Sequence, residues 1–251
     1  MNLLDRLAAV QGRGGRAVLF TVVEGADAGA KFLVEEGDTG VELATEADEV
    51  IRGARNTLLD LGDRKVFGEV YMPPPRLFVH GAVDTAQALC RAAKTLGWTT
   101  IVADARRAFA TPERFPSADE LLVDWPREAT ARVAPDHQTA IVVLTHDAKF
   151  DQPALEAALA TEAFYIGALG SRRNQEKRRA RLLEAGVPEA ALARIAGPCG
   201  LDIGAESQEE TALSILGEIL AVRAGRPGGF LRDAKRRIHA QDDAPAPAPA
   251  A

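Results

Sequence analysis

The sequence has few cysteines, few aromatic residues and no excess of positive charge. Its two cysteines, Cys90 and Cys199, exclude a disulfide framework and a four-thiolate metal site, and they are typical of a reducing cytosol. With 30 basic and 36 acidic residues the formal net charge is −6, which argues against nucleic acid or an anionic membrane as a partner of the whole chain. Aromatic residues make up only 5%, too few for a surface that stacks single-stranded nucleic acid.

Long apolar runs are also missing. No segment approaches about 18 consecutive apolar residues, and the N-terminus lacks the apolar stretch and cleavage site of a secretory signal. We therefore expect a cytoplasmic protein without a membrane span, and we predict no metal site. The 251 residues are 47% hydrophobic and 26% charged, which is the composition of a folded protein with one large domain or an ordinary domain and a small one.

The apolar pattern predicts two domains and a tail. Residues 1–75 are typical of a small α/β domain, with strands at 16–23, 31–35 and 65–72 and a helix over 45–60. Three consecutive prolines at 73–75 stiffen the backbone and predict the border. Residues 76–230 form the second domain, and the Ala/Pro-rich residues 231–251 predict a disordered tail.

The second domain alternates apolar strands with stretches of helical period, which predicts βαβ units and a parallel sheet covered on both faces. We predict five strands, at 77–80, 99–103, 120–123, 140–145 and 163–166. Helices are predicted at 85–96, 127–133, 152–160, 171–185 and 208–223, the last one opening with a capping box of Ser207 and Glu210. The predicted fold class is therefore α/β, a Rossmann-like parallel sheet preceded by a small α/β domain.

Ligands of such sheets bind at the carboxyl ends of the strands. The turn after the first strand, Gly81-Ala82-Val83-Asp84, lies where dinucleotide-binding proteins carry G-x-G-x-x-G, but Val83 replaces the second glycine. Asp84 is predicted to cap the next helix with Gln87, and its carboxylate lies where a phosphate would bind. Both features weigh against an ordinary NAD(P) site.

Further candidates follow the second and fourth strands. Asp104, 23 residues after Gly81, has the spacing of an acid that binds a ribose hydroxyl, although a surface acid at a strand end explains it too. His146 and Asp147 follow the fourth strand. His146 is a candidate for proton transfer or for a hydrogen bond to a ligand ring, and a purely structural histidine is the alternative.

The fifth strand leads into a predicted phosphate cradle. Gly167 and Gly170 precede Ser171, the predicted N-cap, and Arg172 and Arg173 then place two cations in the first helical turn. Cations there are unfavourable unless an anion is bound, because the helix dipole already attracts negative charge. A solvated basic face suffices to explain the later arginines of this helix, Arg178, Arg179 and Arg181.

The loop over residues 197–205 contains three glycines, which allow a close approach of its backbone to a ligand. Asp202 either orients a ligand or holds the loop. Cys199 is either a reactive thiol or, the favoured interpretation, a small buried residue. Cys90 is predicted to pack against the sheet.

Four segments resemble one family. They are Phe109–Phe115 (FATPERF), Leu144–Asp147 (LTHD), Tyr165–Arg173 (YIGALGSRR) and Gly200–Ala205 (GLDIGA). Over residues 76–224 the chain resembles the XdhC/CoxI family, the xanthine dehydrogenase accessory proteins. The resemblance implies a Rossmann-like domain in a protein that binds the molybdenum cofactor, protects it while a terminal sulfur is installed, and passes it to the apoenzyme of a xanthine or carbon monoxide dehydrogenase.

The resemblance also implies the ligand's chemistry and the partners. The cofactor is a pterin with a phosphate, molybdopterin, which a nucleotide extends in its dinucleotide form, and the phosphate would occupy the predicted cradle. The partners are the molybdenum hydroxylase apoenzyme and a sulfurtransferase. We also expect a homodimer, although no particular residue indicates it.

Two departures from the family pattern affect function. The turn after the first strand of the second domain reads G-A-V-D instead of G-A-G-H. The N-terminal domain of the family carries a G-G-C-x-E stretch, but in this sequence no cysteine precedes Cys90. Sulfur chemistry of that thiol cannot be carried over, so a cofactor chaperone is favoured over a catalyst. An NAD(P)-dependent oxidoreductase and a degenerate scaffold that binds only the partner enzyme are the alternatives.

Overall fold

The structure, a computed structural model, describes residues 2–234. The chain divides into two compact units. The described part of the first unit is residues 2–73 and 229–234, and the second unit is Pro74–Gly228. No helix within residues 2–234 is long and apolar enough to cross a membrane.

The first unit has a four-stranded antiparallel sheet of order β2-β1-β4-β3. Its elements are α1 Leu3–Gly12, β1 Ala17–Glu24, β2 Lys31–Glu35, α2 Ala44–Gly53, β3 Thr57–Asp60 and β4 Lys65–Tyr71. Helix α2 buries Val50 and Ile51 against Phe20 of the sheet. Burial of these side chains holds a short helix that would not be stable alone.

Two features of this unit differ from the sequence prediction. Helix α1 was not predicted, and the helix predicted over 45–60 is wrong in its second half. Helix α2 ends where Ala54 adopts a left-handed conformation, with φ of +50°, and residues 57–60 then pair with β4. Pairing with a neighbouring strand decided this segment, because its run of apolar residues suits either element.

The second unit contains a six-stranded parallel sheet of order β10-β9-β8-β5-β6-β7, which confirms the predicted Rossmann-like architecture. Its strands are β5 Arg76–His80, β6 Thr99–Ala103, β7 Glu120–Leu122, β8 Thr139–Val143, β9 Tyr165–Ala168 and β10 Ile195–Ala196. Its helices are α3 Asp84–Thr95, α4 Pro126–Val133, α5 Ala148–Leu159, α6 Arg172–Glu184, α7 Glu189–Leu192 and α8 Gln208–Arg223. The sixth strand, β10, was not predicted.

Apolar side chains on alternate positions of each strand form two separate cores. Leu77 and Val79 of β5 face one core with α3 and α8, whereas Phe78 faces the other with α4, α5 and α6. The sheet is therefore covered on both faces, which explains the uninterrupted apolar runs. The Ser207–Glu210 capping box of α8 is confirmed. The tail predicted for 231–251 lies outside the described residues from residue 235 onward, and Leu231–Asp233 form one 3-10 turn.

Candidate functional site

The strand order reverses between β5 and β8, because the chain continues from β5 to β6 on one side and places β8 on the other. Such a reversal opens a crevice at the carboxyl ends of the strands. A cleft of about 380 Å³ lies there. It is lined by Val83, Asp84, Thr85, Leu144, His146, Leu169, Gln208 and Thr211. Three of the predicted site residues, Val83, Asp84 and His146, thus meet in one cleft.

The turn after β5 requires glycine at its first position. Gly81 has a φ of +108°, and a Cβ there would lie 2.9 Å from the methyl carbon of Thr145 and 3.2 Å from its backbone nitrogen. The next two N–H groups are used within the protein: that of Ala82 donates to Asp104 (2.9 Å) and that of Val83 to the carbonyl of Gly81 (3.0 Å). Neither is free for the phosphate that a dinucleotide-binding turn would hold.

Asp104 links this turn to the loop after β6. Its side chain is 3% exposed, and its Oδ2 accepts from Ala82 N and from Arg106 Nη2 (2.8 Å). Its Oδ1 accepts from the backbone N and the Nε of Arg106, both at 2.9 Å. Burial raises the pKa of Asp104, but these hydrogen bonds outweigh it and leave the pKa below its usual value. Four bonds fill the acceptor capacity of the carboxylate, so a ribose hydroxyl finds no free oxygen there.

Asp84 does not cap α3, so the capping box predicted with Gln87 is wrong. The helix begins at Asp84 itself, and the residue at the N-cap is Val83, which has no side-chain acceptor. The carboxylate pairs instead with Arg114 (2.9 Å), whose other Nη donates to the carbonyls of Ala82 (3.0 Å) and Phe109 (2.9 Å). Arg114, from the FATPERF segment, therefore holds the turn after β5 in place and also offsets the charge of Asp84. Only the family motif pointed to this arginine.

His146 and Asp147 are both exposed at the end of β8. Asp147 is the N-cap of α5, where its carboxylate accepts from the backbone N of Lys149 (3.0 Å). This cap explains why α5 begins at Ala148, earlier than predicted. His146, which follows the same strand, is exposed and lines the cleft.

A second histidine at the carboxyl ends of the strands, His80, was not predicted as a site residue. It is 2% exposed at the end of β5, and its Nε2 lies 3.2 Å from the hydroxyl of Thr130. Burial lowers the pKa of His80 to about 3, against a smaller opposing effect of the Asp104 carboxylate. His80 is therefore a neutral, structural imidazole at neutral pH.

Acidification from pH 6.5 to about 4.5 is expected to destabilise the unit that contains His80. The unfolded chain protonates this imidazole below a pKa of 6.5, whereas the folded protein does so only near pH 3. The unfolded state thus binds more protons in between, and the free energy of unfolding falls by up to about 1.4 kcal/mol per pH unit. Urea titrations at several pH values, followed by tryptophan fluorescence, measure this slope.

The control for this prediction is His80→Gln. Glutamine keeps a polar partner for Thr130 but does not titrate, so most of the slope between pH 6.5 and about 4.5 should disappear. An equally steep slope in the variant would show that other groups carry the effect.

The predicted N-cap of α6 is confirmed. The Oγ of Ser171 accepts from the backbone N of Asn174 (3.3 Å), and Gly170 precedes it with a φ of +136°. Arg172 and Arg173 are exposed, and among the described residues no carboxylate pairs with either. Arg172 also borders a groove of about 340 Å³ between α6 and the loop at Gly197 and Pro198. Two cations without a carboxylate partner in the described part of the chain therefore occupy the first turn of a capped helix.

The solvated basic face predicted for α6 is wrong at Arg178, which is buried. Its side chain is 4% exposed, as is that of Asp151, and its Nε donates to both oxygens of that carboxylate at 3.0 Å. It also donates to Gln175 and to the carbonyl of Leu169 (3.3 Å). The face of α6 that carries Arg178 packs on α5, so desolvation makes pairing obligatory. The ion pair positions α6 against the end of β9.

The loop over residues 197–205 is held by a carboxylate that the sequence analysis missed. Glu218 of α8 accepts from the backbone N of Gly200 (2.8 Å) and from the hydroxyl of Tyr165. The ring of Tyr165 also leaves no room for a Cβ at Gly167, at a distance of 2.7 Å. Asp202 is exposed in this loop.

Both cysteines are buried, which confirms the favoured interpretation of Cys199 and the packing predicted for Cys90. Burial and the carboxylate of Glu218 raise the pKa of Cys199 to about 12. Burial raises the pKa of Cys90 to about 12 as well. Neither side chain is a thiolate at neutral pH, so neither is an activated nucleophile.

The comparison with known proteins agrees with this geometry. Residues 77–219 match the family pattern of the XdhC Rossmann domain. A protein of Bacillus subtilis (strain 168), named as a probable subunit of xanthine dehydrogenase, is 32% identical over 194 residues, 76% of this chain and 57% of that protein. The molybdenum cofactor insertion chaperone PaoD of Escherichia coli (strain K12) is 30% identical over 153 residues, 61% of this chain and 42% of that protein. The chain thus spans less than two thirds of either relative.

A solved structure shares the fold. A crystal structure described as a xanthine dehydrogenase from Bacillus halodurans has a TM-score of 0.65 and 24% identity, and the match covers 92% of this chain and 66% of that one. At this identity the likeness shows the fold alone. The family match extends from β5 to α8 and covers more than half of the chain. The chain therefore belongs to the XdhC family, with the XdhC Rossmann domain at residues 77–219.

Proposed function

We propose that this chain is an accessory factor that binds the molybdenum cofactor and delivers it to a molybdenum hydroxylase apoenzyme of the xanthine or carbon monoxide dehydrogenase type. Support comes from its family and from two relatives, one named for xanthine dehydrogenase and the other as a molybdenum cofactor insertion chaperone. The proposal places the chain in the cytoplasm, where we expect such an apoenzyme to be assembled.

The observation that carries the proposal is the pair of arginines at the start of α6, which have no carboxylate partner within residues 2–234. Arg172 and Arg173 raise the energy of the unliganded helix because the helix dipole and the free N–H groups already favour an anion. A phosphate bound between them removes this cost and gains charge-assisted hydrogen bonds. The donor set therefore fits the phosphate of molybdopterin, with Gly170 and Ser171 beside it.

The cleft of about 380 Å³ at the carboxyl ends of the strands, which we call the sheet-end cleft, is the proposed site of the pterin. His146 is exposed and lines this cleft, and Gln208 of α8 lines it too. Gly81, Ala82 and Asp104 would act by fixing the turn that carries Val83 and Asp84. Gly167, Asp147 and Asp202 would shape the backbone around the cleft. When bound, the cofactor supplies the redox chemistry of the client enzyme, and this chain supplies binding and protection.

Installation of the terminal sulfur is assigned to a partner protein. The two thiols of the chain are buried and protonated, because the pKa of each is raised to about 12. A sulfurtransferase must therefore bring its own nucleophile, and the present chain acts as a chaperone and not as the catalyst of that step.

The contacts of the first turn weigh against the NAD(P)-dependent oxidoreductase. Ala82 N–H and the Asp104 carboxylate, which would hold a pyrophosphate and a ribose, are bonded to each other (2.9 Å). Dinucleotide binding would have to break this buried bond at a cost of about 1–3 kcal/mol.

Maturation of a client enzyme tests the proposal. An apo molybdenum hydroxylase is expressed with the wild-type chain, with the Arg172→Ala and Arg173→Ala double variant, or with a double variant of Lys31→Ala and Arg52→Ala. The last one removes the same charge from exposed positions of the first unit. We expect the wild type and the control to raise molybdenum content and activity, and the Arg172/Arg173 variant to lose most of this gain. Full support by that variant would contradict the phosphate assignment and favour a scaffold that binds only the enzyme.

A further inference from the structure

A row of aromatic rings and cations is exposed beside the sheet-end cleft. The rings of Trp125 and Phe150 are 5.3 Å apart, and the guanidinium of Arg106 lies 5.3 Å from the Phe150 ring and 4.2 Å from that of Phe109. The ammonium of Lys149 lies 5.1 Å from the Trp125 ring. Trp125 is 48% exposed and Phe109 41%. We call Phe109, Trp125, Phe150, Arg106 and Lys149 the ring row.

The ring row lies where a sheet of this kind binds ligands. Arg106 follows β6, Trp125 follows β7, and Phe150 belongs to the first turn of α5 after β8. All three thus lie at the carboxyl ends of strands in the same part of the sheet, where the order is β8-β5-β6-β7. Phe150 and Thr145 both line a small cavity at these strand ends. The hydroxyl of Thr145 is buried and has no hydrogen-bond partner among residues 2–234, an uncommon state in a folded protein.

The planar guanidinium of Arg106 is held in place by Asp104. The two hydrogen bonds from its Nε and Nη2 to the carboxylate are 2.9 and 2.8 Å long. The fixed guanidinium lies against the rings of Phe109 and Phe150, so it holds these two rings in place without a further loss of rotamer freedom. The hydrogen bonds to Asp104 also neutralise its charge, so its role is stacking and not phosphate binding.

Two other cations are available for an anion. Lys149, a member of the ring row, and Arg107, the residue after Arg106, are both exposed, and within residues 2–234 neither pairs with a carboxylate. A ligand that carries both a flat ring and a negative charge matches this combination, because the ring gains stacking energy and the phosphate gains the unpaired cations.

We propose that the ring row binds a nucleotide, with the base stacked on the exposed rings and a phosphate near Lys149 and Arg107. The nucleotide is either free or the nucleotide half of a dinucleotide form of the molybdenum cofactor. The second source rests on the proposed function, whereas the first does not. This site would give the chain a preference for the nucleotide-bearing form over molybdopterin itself.

Titration with nucleoside monophosphates tests the site. Trp98 is 3% exposed, so Trp125 is the tryptophan that a stacked base can reach, and its emission should be quenched. We expect CMP, GMP or AMP to quench saturably and to bind with an enthalpy change measurable by calorimetry. Ribose 5-phosphate, which has no base, should bind at least tenfold more weakly.

Two variants and a matched control locate the binding. Phe109→Ala should weaken nucleotide binding about five- to a hundredfold, the usual effect of removing a stacking ring. Lys149→Ala should weaken it too and should reduce its dependence on salt. The control is Phe230→Ala, which removes an exposed ring that also contacts an arginine, Arg232 at 4.7 Å, but lies in the first unit. Unchanged affinity in Phe109→Ala and Lys149→Ala would overturn the proposal.

The two forms of the cofactor separate this inference from the proposed function. Phe109→Ala should weaken binding of the dinucleotide form and leave that of molybdopterin unchanged, whereas loss of Arg172 and Arg173 should weaken both. Binding of nucleotides but of neither cofactor form would support the ring row and contradict the proposed function. Normal nucleotide affinity in Phe109→Ala together with loss of apoenzyme activation would make the row a protein contact and refute the inference.

Discussion

Asp151→Ala is expected to lower the free energy of unfolding by about 3–5 kcal/mol, because it leaves a buried guanidinium without its counter-charge. Both partners of this ion pair are 4% exposed, and Arg178 Nε binds the two carboxylate oxygens at 3.0 Å. Urea unfolding followed by tryptophan fluorescence measures the change, since both tryptophans lie in the same unit.

A second substitution isolates the unpaired charge as the cause. Adding Arg178→Met to Asp151→Ala removes the charge as well and should recover a large part of the lost stability. Arg179→Ala, on the same helix as Arg178, breaks an exposed pair with Glu189 of α7 and should change stability by less than about 1 kcal/mol. Equal losses in Arg179→Ala and Asp151→Ala would show that the helix as a whole, and not the buried pair, is sensitive to substitution.

Gly81→Ala is expected to destabilise the second unit by about 2–5 kcal/mol, the sum of backbone strain and overpacking. The φ of Gly81 is +108°, and the new Cβ would lie 3.2 Å from the backbone nitrogen of Thr145, which cannot move as a side chain can. A shift of the turn would also break the hydrogen bond from Ala82 to Asp104. The free energy of unfolding from urea titrations measures the loss.

Gly97→Ala separates strain from overpacking. Gly97 also has a positive φ, of +73°, but no atom would lie within 4 Å of its Cβ. It should therefore show the strain alone, about 1–2 kcal/mol. A loss at Gly81 no larger than that at Gly97 would contradict the close contact with Thr145.

The sequence predicted those parts of the fold that local pattern determines. The strands of the parallel sheet are buried on both faces, so their apolar runs are unambiguous, and the caps at Ser171 and Ser207 are local signals. The two-residue strand β10 carries no such pattern, since pairing with β9 alone makes it a strand. Helix α5 was predicted from residue 152 onward, but it begins at Ala148 and contains Pro153 in its interior.

The sequence indicates single residues of the candidate site but not the contacts between them. Gly81 in a tight turn, Arg172 at a helix start and His146 after a strand are each indicated by residue type and by position along the chain. Arg178 looked like another exposed cation, since its partner Asp151 lies 27 residues away on a different helix. Asp104 had the spacing of a ligand contact, but Arg106, two residues on, uses its oxygens. Pairings of this kind follow from packing, which residue type and spacing do not encode.

Equilibrium dialysis against the molybdenum cofactor, with bound molybdenum measured by mass spectrometry, tests the central claim most directly. We expect saturable binding of one cofactor per chain by the wild type and by the Lys31→Ala and Arg52→Ala control. The Arg172→Ala and Arg173→Ala variant should bind at least about tenfold more weakly, the loss expected for charge-assisted hydrogen bonds to a phosphate. Equal affinity of all three proteins, or no binding by the wild type, would contradict the account.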